Sequence, residues 1–159
     1  MKYIVLCVGK IKEKFYTDAI AEYLKRLGSY IDIKIIEVED EKDPRILSEK
    51  GIEQTCIKEG QRLLQKIQDN DYIIALSING KSYDSIEFSS MLKQMQSTQY
   101  KRIIFVIGGS NGLSKQVLSR ANASLSFSKF TFPHQLMRVI LLEQIYRAHK
   151  IIANEPYHK

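Results

Sequence analysis

The sequence predicts an α/β fold, a mainly parallel sheet flanked by helices, on three observations. Short apolar runs at residues 3–8, 72–78 and 103–107 are closed by glycine or by an Asn-Gly pair, as buried strands are. Between them lie longer segments whose apolar residues recur at helical spacing. The alternation runs through the chain without a linker or a repeat, so one domain over residues 1–159 is expected.

The first strand, residues 3–8, stops at Gly9. Tyr16, Ile20, Tyr23, Leu24 and Leu27 then make one face of an amphipathic helix, and Gly28 stands where a left-handed C-cap would. Ile31, Ile33 and Ile35 alternate with Asp32 and Lys34 as a second strand. The charged run from Glu39 to Asp43, with Pro44 behind it, predicts an exposed loop. Ile52, Cys56, Leu63, Leu64 and Ile67 mark the next helix; Gly60 inside it costs stability relative to alanine, which suggests a close backbone approach. The third strand ends at the turn Asn79-Gly80, after which Asp84 and Glu87 have capping-box spacing. Phe88, Met91, Leu92 and Met95 face that helix inward, and residues 103–107 form a β-branched fourth strand. Residues 113–121 read as a short helix, and Ala123, Leu125 and Phe127, alternating with serines, as a fifth strand. Pro133 opens the longest helix, at the position where a missing N–H costs least. Leu136, Val139, Ile140, Leu141, Leu142, Ile145, Ile151 and Ile152 cover more of its circumference than a surface helix needs, which points to a subunit interface.

A hydrophobic fraction of 44% and a charged fraction of 26% are those of a globular domain and argue against disorder. The net charge of +6 suits a polyanionic partner, though a merely basic surface has the same composition. Cys7 and Cys56 read as buried thiols. The three histidines form no metal-ligand pattern with them, so no metal is expected. The first apolar run is too short for a signal peptide and no run spans a bilayer, so a cytoplasmic protein with no membrane partner is expected.

Two loops carry the chemical interest. Gly108-Gly109-Ser110-Asn111-Gly112 follows a buried strand and precedes a helix, where open α/β sheets bind ligands. Its spacing fits neither the dinucleotide fingerprint nor the P-loop, and a tight turn would read the same way. Phe127-Ser128-Lys129-Phe130-Thr131-Phe132 is rich in phenylalanine for a loop. It reads either as core anchoring or as a backbone cradle with aromatic walls for a flat adenine. Arg138, Arg147 and Lys150 on the last helix read as surface charges or as ligand contacts, and Glu143 with Arg147 has i,i+4 pair spacing. His158 is either an exposed terminal residue or a titrating group. No Ser-His-Asp set or paired-carboxylate motif is identified. Methyl transfer from a sulfonium requires neither, because alignment of nucleophile and methyl group supplies much of the rate.

Several segments carry a resemblance: Val8-Gly9-Lys10, Lys58-Glu59-Gly60-Gln61, residues 76–81, 106–113 and 125–138, Tyr146-Arg147-Ala148, and Pro156-Tyr157-His158. In their order and spacing the chain resembles the ribosomal RNA large-subunit methyltransferase H family, a minimal branch of the SPOUT superfamily. The resemblance implies a deep trefoil knot in the C-terminal half and a homodimer. It implies S-adenosylmethionine as donor, contacted by Leu76, Gly108, Phe127, Ser128, Lys129, Phe130, Thr131 and Phe132. It implies as acceptor N3 of a pseudouridine in 23S rRNA on the assembled ribosome. Arg138, Tyr157 and His158 then become substrate residues, with Arg138 and His158 candidates for catalysis, and one subunit's tail is expected near the other's donor. A non-catalytic RNA-binding module of ribosome assembly fits the charge equally well, but has no need of the two loops. A flavin or nicotinamide enzyme is opposed by the glycine spacing and by the lack of an acidic ribose ligand.

Overall fold

The computed structural model describes residues 1–42 and 48–159. The elements in chain order are β1 (Lys2–Val8), α1 (Lys14–Leu27), β2 (Asp32–Val38), α2 (Glu49–Leu64), β3 (Asp71–Ser82), α3 (Ser85–Gln96), β4 (Arg102–Ile107), α4 (Lys115–Arg120), β5 (Ala123–Ser126) and α5 (His134–Ile152). The strands form one sheet in the order β2-β1-β4-β3-β5, every pair parallel.

Side-chain alternation along the central strands divides the core in two. Tyr3, Val5 and Cys7 of β1, with Ile103, Phe105 and Ile107 of β4, pack under α1, α3 and α5. Ile4, Leu6 and Val8, with Ile104 and Val106, pack under α2 and α4. Both faces are covered, which is why these runs are apolar throughout. Each fully buried aliphatic side chain contributes on the order of 1.5–3 kcal/mol of transfer free energy.

The local signals hold at most element ends. Asp84 accepts from the Glu87 N–H and Glu87 accepts from the Asp84 N–H, closing the capping box. Gly60 packs against Ser114, where a side chain on residue 60 would collide with the serine hydroxyl. Cys7 and Cys56 are buried and unpaired, and burial pushes the Cys7 thiol up to about 12.

Four expectations change. Gly28 is right-handed, at φ −56°, because its N–H continues the helical ladder to Leu24 O. Ile67 lies beyond the end of α2. Pro133 is the N-cap of α5 rather than its first helical residue. The third strand does not stop at Asn79-Gly80: residues 77–80 are an excursion, and Leu125 of β5 pairs with both Leu76 and Lys81. Of the charged loop expected after the second strand, Asp43 and Pro44 lie outside the described residues. No helix among the described residues is long and apolar enough to cross a membrane.

Candidate active site

Because every strand runs the same way, the excursion within β3 and the loops after β4 and β5 lie at one end of the sheet. Residues 77–79, 107–113, 125–128 and 130–135 there enclose a cleft of about 1030 Å³. The size suits a ligand larger than a nucleoside.

The glycine loop forms one wall. Gly112 has φ +84°, closing a tight turn in which its N–H donates to Gly109 O at 3.1 Å. A Cβ on Gly108 would lie 2.5 Å from Gly112 O, and one on Gly109 2.9 Å from Glu59 Oε2. Neither glycine can carry a side chain without displacing that neighbour, so both are needed for the loop to close this tightly. Helix α2 supports this wall from behind. Cys56 Sγ donates to Asn111 O at 3.4 Å, and Glu59 is 4% exposed, with Oε1 accepting from the Glu41 N–H at 3.0 Å and Oε2 without a partner. Burial raises the Glu59 carboxyl above its ordinary value, and Asp40 and Glu41 add to the shift.

The phenylalanine-rich loop forms the facing wall. Ser128 Oγ accepts from the Phe130 N–H at 3.0 Å, and Ser126 Oγ donates to Ser128 O at 3.2 Å, so short side-chain bonds shape this irregular backbone. Phe127 packs on the core while Phe130 is 79% exposed. Phe127 thus serves as the core anchor that one reading expected, while Phe130 stands exposed at the cleft.

The structure brings Leu76, Gly108, Phe127, Ser128, Phe130, Thr131 and Phe132 to the cleft. Lys129 is exposed and is not part of its lining. Arg138 does not reach it either. It is neither a surface charge nor, in this chain, a cleft residue: it is fully buried, pairs with Glu37 at 2.6 Å, and donates to Val8 O at 2.8 Å and Gly9 O at 2.7 Å. Its guanidinium ties the carboxyl end of β1 and the edge strand β2 to α5.

Tyr157 and His158 lie at the other end of α5. The 19 residues of that helix correspond to ~28 Å. Glu143 accepts there from Arg147 Nε at 3.0 Å and from the Tyr157 hydroxyl at 3.2 Å, while Arg147 stacks over the Tyr157 ring at 4.8 Å and lies 3.4 Å from His158 Nδ1. Burial, with Glu143 adding to it, pushes the Tyr157 hydroxyl up to about 12.

Residue patterns gave no role to His134, which lines the cleft, or to Cys56 and Glu59, which support its glycine wall. Gly60, beside Glu59, was the one usable signal: a helix-interior glycine marks a place where something packs close.

Fold and cleft together define a class, a parallel α/β protein with a cleft among the loops at the carboxyl ends of its strands, where such sheets bind ligands. Within that class the chain belongs to the SPOUT methyltransferase family, whose predicted SPOUT methyltransferase description it matches over residues 1–158. Two solved structures share the fold at 11% sequence identity. A probable methyltransferase from Bordetella pertussis Tohama I superposes with a TM-score of 0.57, over 93% of this chain and 96% of that one. A probable methylase family protein from Haemophilus influenzae Rd KW20 superposes with a TM-score of 0.52, over 96% of this chain and 66% of that one.

Proposed function

We propose that this methyltransferase takes its methyl group from S-adenosylmethionine and places it on N3 of a pseudouridine in 23S rRNA, acting in the cytoplasm as a homodimer on the assembled ribosome. The cleft is the observation that carries the donor half. Its glycine wall lines the cleft with residues that carry no side chain, Gly108, Gly109 and Gly112, and its phenylalanine wall offers flat apolar faces to an adenine. The residues present therefore fit the donor, which when bound supplies a methyl group on a sulfonium. The protein's part is to orient the donor between the two loops, exclude water from the cleft, and present the acceptor nitrogen in line.

The acceptor half rests on the whole-chain resemblance and the +6 charge. In this reading Arg138 is a positioning residue that fixes the β1 corner, and the Glu143–Arg147–Tyr157–His158 cluster meets the acceptor across the dimer, at the cleft of a second copy. Leu136, Ile140 and Ile151 are half-buried residues of α5 that supply the apolar face for such a contact. The trefoil knot belongs to the same proposal. It is supported by the tight passage of β5 past the excursion at residues 77–80, where a Cβ on Gly80 would lie 2.6 Å from the Leu125 carbonyl carbon.

The test is transfer from radiolabelled S-adenosylmethionine to whole ribosomes, separated subunits and naked rRNA, with the labelled base mapped. Label on N3 of a 23S pseudouridine, strongest with whole ribosomes, is the expected result. Donor binding without label on any RNA would replace this reading with a non-catalytic RNA-binding module.

A further inference from the structure

Methylation of an imide nitrogen requires a proton acceptor, because the neutral N3–H has no lone pair suited to attack. His134 is the one ionisable side chain among the described residues that line the cleft. It is the first residue of α5, half-buried, with its Nε2 3.5 Å from the place a Cβ on Gly9 would occupy. Among the described residues neither ring nitrogen has a hydrogen-bond partner, so the lone pair is uncommitted.

The charged groups facing the ring are few. Arg138 lies on its own helix, Asp40 beyond the end of β2, and Glu13 just before α1. Burial lowers the His134 pKa below the ordinary histidine value, and the Arg138 charge lowers it further against smaller opposite effects of Asp40 and Glu13. The partial positive charge of a helix N-terminus acts in the same direction. The ring is therefore neutral at neutral pH, the form that accepts a proton. His158 lies near the positively charged Arg147 at the far end of α5.

We infer that His134 is the cleft's general base, accepting the acceptor's N3 proton as the methyl group is transferred. The inference rests on the reading under Proposed function. In the step, the N3–H bond breaks and the proton passes to an imidazole nitrogen. The N3 electron pair forms the bond to the methyl carbon, and the carbon–sulfur bond pair leaves with sulfur as a neutral thioether. The imidazolium then returns its proton to water.

The experiment is single-turnover transfer to ribosomes across pH 5–9 for the wild type, His134→Gln and His158→Gln, with donor affinity measured by calorimetry on each. The expected result is a wild-type rate that falls on the acid side. His134→Gln should lose that limb and about 100-fold in rate, as removal of a general base does, with donor affinity unchanged. A wild-type rate and acid limb in His134→Gln overturns the inference. So does an equal loss of rate and donor affinity, which marks a structural wall residue, and so does an acid limb removed only by His158→Gln. Wild-type protein that methylates no RNA defeats the proposed function instead. In that event an NMR titration of the His134 ring still decides the point: a ring that stays protonated through neutral pH has no free lone pair and removes it as a base.

Discussion

Arg138 and Arg147 stand on one helix and look alike in sequence, but the fold treats them in opposite ways. Arg138 has no exposed surface; its two terminal nitrogens donate to the carbonyls of Val8 and Gly9 at the end of β1 and to Glu37 of β2, while its Nε has no partner among the described residues. Arg147 keeps 26% of its side chain exposed, pairs with Glu143 on its own helix, stacks over the Tyr157 ring and lies beside His158 Nδ1. One end of α5 is thus a fixed joint that defines where the cleft sits. The other is an open polar cluster whose partners can be exchanged at little cost.

The comparison breaks first at Arg138. Arg138→Ala leaves two buried carbonyls without a donor, beside a partly exposed Glu37 carboxylate that loses its partner, so chemical denaturation should show a loss of about 2–6 kcal/mol, at about 1–3 kcal/mol for each buried carbonyl left unsatisfied. Arg138→Lys should recover only part of it, since one ammonium does not reproduce the planar fork. A change under about 1 kcal/mol would mean the joint is not structural.

At the cleft wall, Gly109→Ala drives a methyl group against the Glu59 carboxyl, so either the loop or the carboxyl must shift. Overpacking of this kind costs about 1–3 kcal/mol. Equilibrium dialysis should show donor affinity reduced about tenfold or more, in line with that range.

Buried titrating groups give a third, smaller effect, with two signs. His149 is 4% exposed with Nε2 unpartnered, and burial holds its pKa below 6.5. The unfolded chain takes up that proton first, so stability is full above about pH 6.5 and falls as pH drops toward the folded value. Glu59 is opposite: its raised pKa makes the protonated fold the more stable, and stability falls as pH rises from 4.5 toward the folded value. His149→Phe should flatten the acid-side slope of the melting temperature, and Glu59→Gln the other. Unchanged slopes would place both groups in contact with solvent.

The smallest change is expected at the tail. Tyr157→Phe removes one hydroxyl from a part-buried cluster in which Arg147 still pairs with Glu143, and should shift stability by about 1 kcal/mol or less. A shift as large as that of Arg138→Ala would erase the contrast between the two ends of α5.

Most of the fold was legible in local pattern. The apolar runs of β1 and β4 are the strands, and Asp84 with Glu87 is the cap. The third strand was read too short because Asn79-Gly80 has the chemistry of a turn, while β5 pairs on both sides of the excursion that contains it. Both cleft loops were visible as glycine-rich and phenylalanine-rich segments. His134 was not, because nothing about one histidine after a proline distinguishes a cleft residue from a surface one.

The sequence by itself determined the order of strands and helices, the two-sided core and the two loops, because each depends on residues within a turn or a strand of one another. Tertiary structure alone decided that the loops face each other across one cleft and that Arg138 is buried while Arg147 is not. The Arg138 bond to Gly9 O joins residues 129 apart in the chain. Periodicity reports which face of an element is apolar. It carries no information on which distant backbone carbonyls will meet that face, and those carbonyls are what hold a guanidinium out of water.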